Sequence, residues 1–273
     1  GTVKRAGQYA LMAGAALFAL FPLYWMLASS LKTASELQML PPTWWPAQPI
    51  LDAYAAVFDV IPFGRAIGNS FIIAGGTTLG IVLTSLTAGY VFAKYRFRGR
   101  DVLFFVVLAT MFLPPIVMLV PLFRMMQEFG LVDTHIGVML PHLANAFGIF
   151  LMRQFIAGVP DELIDAARID GASELKVLFR IVAPLVAPGL AVLVLFAFVF
   201  HWNSFLWPLT MLQSQDMQTV VLAMNNLMSY TTSVRFQNVV MAGATISILP
   251  GIILFLLLGR YFVRGILQTG LRG

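Results

Sequence analysis

Apolar residues run through this chain in long blocks, broken at intervals by short segments that hold most of the charge and many of the prolines. A helix needs about 20 apolar residues to cross a bilayer. Six stretches qualify: Tyr9–Ser29, Ile67–Ala93, Val102–Phe123, Ile136–Phe155, Ile181–Leu212 and Val239–Phe262. Runs such as Ala191–Phe200 do not alternate, which excludes the pattern of a membrane β-barrel. Helices are then the elements expected, because lipid offers no partner to free backbone groups. The pattern predicts an all-α membrane protein with six transmembrane helices. Pro114, Pro115 and Pro121 predict kinks in the third span. The fifth stretch is too long for one straight span, and Pro184 and Pro188 mark where it enters the interface. Gly75, Gly76, Gly80 and Gly89 predict close helix packing on the second span.

The segments between spans differ in kind. Lys32–Arg65 carries Pro41, Pro42, Pro46, Pro49 and Pro62, which disfavour a long helix, with Trp44 and Trp45 suited to a membrane interface. Arg153–Arg180 holds five of the twelve acidic residues. Gln213–Gln237 includes Asn225, Asn226, Tyr230, Thr231 and Thr232 and reads as a connector. Basic residues set the orientation. With the N-terminus inside, thirteen Lys and Arg fall on inner segments, and only Lys32, Arg65, Arg124 and Arg235 fall outside. That asymmetry puts both termini in the cytoplasm. The first apolar stretch exceeds a secretory h-region of about 7–15 residues, so it is expected to stay as a span. No internal repeat relates the two halves.

Composition agrees with a membrane protein. Hydrophobic residues make up 59% and charged residues 11% of 273, against roughly 25% charged in soluble domains. There are no cysteines, which excludes disulfides and thiolate metal sites. The net charge of +5 fits the inner-loop bias, and no basic cluster interleaved with aromatics suggests nucleic acid. His135, His142 and His201 lack ligand spacing on one helical face, so no metal site is expected. No Ser/His/Asp, paired-carboxylate or HExxH arrangement supports a membrane enzyme. No acidic residue lies well inside a span, with Asp101 at an edge, which weighs against an ion-coupled carrier. A phosphate loop of the form GxxxxGK[ST] is missing, so the chain is not expected to bind ATP in the usual way.

Chemistry concentrates in the segment VPDELIDAARIDGASELKVLFRIVAPLVAPG, Val159 to Gly189. Pro160 and Asp161 start a short helix with acids at its positive end. Leu163, Ala166, Ala167 and Ile169 give it a small apolar face, and Gly171 permits a sharp turn. A second helical stretch, Ser173–Val182, leads to Pro184. Small residues at Ala166, Ala167, Gly171 and Ala172 let another backbone approach. A solvated loop with an amphipathic turn and a helix shaped for a partner's groove both fit this pattern.

The segment resembles the EAA motif of binding-protein-dependent ABC importer permeases. The motif stands here as Asp165-Ala166-Ala167, Gly171, Ile181 and Pro184 at the family spacing; Asp165 replaces the usual Glu and Ala183 the usual Leu. AARIDGAS, Trp202-Asn203-Ser204-Phe205-Leu206-Trp207-Pro208, Arg260-Tyr261-Phe262-Val263-Arg264-Gly265 and Asp52-Ala53-Tyr54 resemble the maltose-type branch, which carries carbohydrates and glycerol phosphate.

The resemblance implies a type I ABC importer (MetI-like) fold in a bacterial or archaeal inner membrane. The expected division is a first helix with its outer loop over 1–64, a five-helix core over 65–262 with a coupling loop over 153–182, and a cytoplasmic tail over 263–273. It implies a non-catalytic chain that binds no cofactor, with ATP and Mg used by two copies of a separate ATPase subunit. A second homologous permease, a periplasmic or lipid-anchored solute-binding protein and membrane lipid are the other partners. Glu162, Asp165, Ala166, Ala167, Asp170, Gly171 and Ala172 are expected at the ATPase, which Arg264–Gly273 also reaches. Asn225, Asn226 and Tyr230 are expected at the binding protein. Trp202, Asn203, Ser204 and Asn145 are candidates for the solute path, with Trp202 stacking on a sugar; the fifth-span polar group equally fits an interhelical hydrogen bond. The solute is a carbohydrate, with glycerol phosphate as the alternative.

Overall fold

The structure is a computed structural model. It describes the backbone of residues 2–230 and 236–270, and the side chains of 5–229 and 236–261. Among these, every regular element is helical. In chain order they are α1 (Thr2–Ser30), α2 (Asp52–Val60), α3 (Phe63–Lys94), α4 (Arg100–Ala109), α5 (Pro115–Glu128), α6 (His135–Met139), α7 (Ala146–Ala157) and α8 (Asp161–Ile169). Then follow α9 (Glu174–Val177), α10 (Ala183–Leu185), α11 (Ala187–Trp202), α12 (Leu206–Met211), α13 (Val220–Tyr230) and α14 (Gln237–Gly270).

Three helices are long and apolar enough to cross a membrane unaided: Arg5–Ser30, Phe63–Lys94 and Gln237–Tyr261. Three helix pairs qualify as bent spans, Arg100–Phe112 with Pro115–Glu128 at 102°, His135–His142 with Ala146–Ala157 at 50°, and Glu174–Leu185 with Ala187–Trp202 at 85°. The first break falls at Leu113 and Pro114, both extended, because a residue before proline avoids the helical region. Pro115 then opens α5, where a missing N–H costs nothing. The expected kink at Pro121 is not a break, since α5 passes through it. In the third pair, Leu178–Val182 widens into a π turn just before Pro184, which cannot donate to the helix and crowds the carbonyl four residues back. The fifth apolar stretch is therefore not one element: it bends near Val186 and breaks again after Trp202.

The chain folds as two compact units, one of Gly1–Arg65 with Val220–Leu249, the other of Ala66–Thr219 with the chain from Pro250 on. The 220–249 segment falls in the first unit, with α1 and the loop after it. In that first unit the loop after α1 is tied down by buried polar groups. Lys32, counted above among outer-loop charges, is 1% exposed; its ammonium donates to the Thr43 carbonyl and lies over the Trp25 ring. Glu36 accepts from Thr43 Oγ1 and the Ala47 N–H, both at 3.0 Å. The expected connector 213–237 contains the helix α13. Its Met224 lies where a Cβ on Gly243 would stand, so α13 packs closely on α14.

The second unit is built on α3. Side chains or backbone of the α6–α7 region press on Gly76, Gly80 and Gly89, where a Cβ would meet Met139, Leu143 and Met152. Gly75 faces open space and takes no part in this packing. Its core joins Ile81, Leu86 and Tyr90 of α3 with Met152 and Ile156 of α7, Ile164 of α8, and Val177, Val182 and Leu193 of the following helices.

Candidate functional site

The site begins where α7 ends. Pro160, extended, precedes α8, and Asp161 and Glu162 occupy its first turn while Arg168 occupies its last. Each charge lies at the helix end whose dipole favours it. α8 ends in a Schellman motif: the Ala172 N–H reaches the Ala167 carbonyl at 2.9 Å and the Gly171 N–H the Arg168 carbonyl at 3.0 Å. Gly171 has φ 79°, a conformation that costs a residue with a Cβ about 1–2 kcal/mol. The turn expected from the sequence is thus a specific helix cap.

The apolar face expected on α8 is in fact two faces. Ile164 and Ala167, three residues apart, are buried in the chain's own core. Ala167 is thus part of the internal packing. Leu163, Ala166 and Ile169 point outward, Ile169 being 86% exposed. Glu162, Asp165, Asp170 and Gly171 are exposed beside them, and Ala172 is half-buried. The result is an acidic rim around an apolar step.

Residues that sequence reasoning passed over hold this segment. Arg168 donates to Glu174 through Nε (2.8 Å) and Nη2 (3.2 Å) and to Asp165 through Nη1 (3.2 Å). The hydrogen-bonded Glu174 carboxylate holds the Arg168 guanidinium even more firmly protonated than an ordinary arginine. Tyr90 Oη donates to Glu174 at 3.0 Å, and Arg168 lies over the Tyr95 ring at 5.8 Å. Lys94 donates to Asp161 at 2.6 Å and to the Val159 carbonyl at 2.5 Å. That bond and charge hold the Asp161 carboxyl below the usual carboxylate range. A sequence signal existed for one of these contacts, since Arg168 and Glu174 flank a glycine turn with opposite charges. Tyr90 and Lys94 gave none, because their partners are more than 60 residues away.

The candidate solute-path residues fare differently. Trp202 is 3% exposed, stacked on Phe198 at 5.5 Å and met edge-on by Phe71 at 4.9 Å. Its ring packs on the chain's own Phe198 and Phe71. Asn145 is the N-cap of α7, its Oδ1 accepting from the Gly148 N–H at 2.8 Å. Asn203 is exposed at the end of α11, with Nδ2 donating to the Val199 carbonyl at 2.8 Å, and Ser204 is half-buried in the break before α12. His142 lies tilted against His201, with centroids 5.2 Å apart, and meets Trp207 edge-on. Among the described residues no group of three or more His, Cys, Asp or Glu could hold a metal.

Of the residues expected at a binding protein, Asn225 is exposed and Asn226 half-buried on α13. The Tyr230 side chain, Thr231, Thr232 and the side chains of the tail from Arg264 lie outside the described residues.

Residues 76–268 match the family described as the binding-protein-dependent transport system inner membrane component. The chain is 35% identical to the arabinooligosaccharides transport system permease protein AraQ of Bacillus subtilis (strain 168) over 262 residues, 94% of this chain and 92% of that protein. It is 36% identical to the lactose transport system permease protein LacG of Rhizobium radiobacter over 264 residues, 96% of this chain and 94% of that protein. A solved structure of a bacterial ABC transporter involved in the import of the acidic polysaccharide alginate contains a chain of the same fold. Its TM-score is 0.83 at 24% identity, with 96% of this chain and 97% of that chain covered. This chain, matched from α3 through α8 and into α14, belongs to the family of inner membrane components of binding-protein-dependent transport systems.

Proposed function

We propose that this chain forms half of the translocation path of an ATP-driven carbohydrate importer in a bacterial inner membrane. Each bent pair counts as one span in this reading, giving six, with both termini in the cytoplasm, an orientation supported by the bias of basic residues. A second permease of the same family completes the path. Two copies of a separate ATPase subunit bind below and use ATP and Mg, and a solute-binding protein delivers the sugar outside. The carbohydrate class is supported by the two relatives, whose names specify arabinooligosaccharides and lactose.

The observation that carries the reading is α8. A nine-residue helix, capped at Gly171, leaves Leu163, Ala166 and Ile169 exposed between acids on a segment the inside-positive rule puts in the cytoplasm. Such a helix fits a groove in a partner. Closure of the ATPases on ATP would then move α8, and with it the helices that surround the path. Asn203 and Ser204, at the break between α11 and α12, are the polar groups we assign to the solute. α13, with Asn225 and Asn226, is assigned to the binding protein.

The test is reconstitution of the chain with its partner permease, ATPase and binding protein in vesicles. Uptake of the sugar should require ATP and every subunit, and should survive collapse of the ion gradient. Uptake that stops with the gradient and continues without ATP would overturn the reading.

A further inference from the structure

Tyr90 and Lys94 stand four residues apart at the end of α3, one helical turn, and so on one face. Each grips a different end of the coupling segment. Lys94 holds the start of α8 through Asp161 at 2.6 Å and the Val159 carbonyl at 2.5 Å. Its own side chain is 7% exposed, so the ammonium is largely withdrawn from solvent. Tyr90 holds the far end through Glu174 at 3.0 Å, and Glu174 in turn takes two bonds from Arg168 on the last turn of α8. Between the two grips, Ile164 and Ala167 pack in one core with Tyr90 and Val177. One turn of α3 thus brackets the whole of α8.

This arrangement sets a route for force. α8 is joined by the chain to α7 and to α9–α11, but both of those belong to bent pairs, at 50° and 85°. A displacement passed along them can be absorbed at the bends. α3 is unbroken over 32 residues, about 48 Å at 1.5 Å per residue. It is linked to α8 only by side chains.

We infer that Tyr90 and Lys94 are positioning residues that make α3 the lever receiving the stroke of the coupling segment, so that α3 and α8 move as one body. This rests on the docking role proposed for α8, and the two can fail separately. In the assembled transporter, Tyr90→Phe combined with Lys94→Met should leave the ATPase subunits bound. ATP hydrolysis should stay within about twofold of the parent, and uptake should fall at least about tenfold, an uncoupling of about 1.4 kcal/mol per decade. Lys94→Arg should restore part of the uptake. An unchanged ratio of ATP hydrolysed to sugar moved would overturn the lever, and so would loss of ATPase binding, which would mean that the two residues hold the docking face and transmit nothing beyond it; the docking role itself fails only if the exposed face of α8 at Ile169 is not covered by the ATPase.

A second measurement guards against misfolding. The chain has no cysteine, so Lys94→Cys with Asp161→Cys can be bridged selectively by a bifunctional thiol reagent of about the length of the original pair. Uptake should be low before bridging and recover after it. Bridging that lowers uptake further, or leaves it unchanged, would mean that the two helices need to separate or that the grip transmits nothing.

Discussion

The α8 segment and two residues of the membrane-spanning helices, Trp202 at the end of α11 and Asn145 at the start of α7, combine polar and apolar character, yet the chain uses them in different ways. Around α8 the flagged residues Asp165, Ala166 and Gly171 stay exposed, and the chain spends others, Arg168, Glu174 and Lys94, on holding them out. Around Trp202 and Asn145 the flagged residues are themselves spent, one on Phe198 and Phe71, the other on capping α7. Polar groups at membrane depth must find partners, because lipid supplies none. A segment in water can leave a surface unpaired for another protein.

The contrast can be broken most severely at Gly171. Gly171→Trp should abolish uptake while the protein still inserts, because bulk and a Cβ at φ 79° disrupt both cap and docking face. Gly171→Asn, which tolerates that conformation, should be far milder than Gly171→Val. Normal uptake by Gly171→Trp would remove the distinction between the regions. Next in size, Trp202→Ala should destabilise the purified protein by about 3–5 kcal/mol, the cost of emptying a buried aromatic site. Thermal unfolding would record it. A variant of normal stability with altered sugar preference would argue for Trp202 in the path.

Asn145→Ala should cost about 1 kcal/mol of stability through the lost cap, and Asn145→Ser much less, with sugar preference unchanged in both. The smallest effect expected concerns pH. Lys94 lowers the Asp161 pKa, so the stability of this pair is fully present above the ordinary carboxylate value of about 3.9 and is lost as pH falls through the lowered folded value. The ratio of ATP used to sugar moved should therefore not change through Asp161 between about pH 5 and 8. A change traced to Asp161 within that window would show that Lys94 does not hold it.

How much was legible follows the same division. Span positions came from runs of apolar residues, and the end of α8 from Gly171, since both are local signals. The break at Pro114 was local too, because a proline acts on its own neighbours. The tie from Tyr90 and Lys94 to α8 was not legible, nor was the burial of Trp202 against Phe71, because each depends on which distant helix face arrives there. The burial of Ala167 was not legible either: helical periodicity marks an apolar position but does not say whether the surface it meets belongs to the same chain. The helix α13 was missed because Gln213–Gln237 was read by its polar residues, while Val220, Leu222, Ala223 and Leu227 bury its other side.

The central claim, that α8 presents its outward face to an ATPase in the cytoplasm, is tested most directly at Ile169. With no native cysteine as background, Ile169→Cys should resist a membrane-impermeant maleimide in intact cells and label readily in opened membranes stripped of ATPase. Added ATPase should then protect it. Labelling from outside intact cells, or labelling in opened membranes that the ATPase does not reduce, would contradict the account.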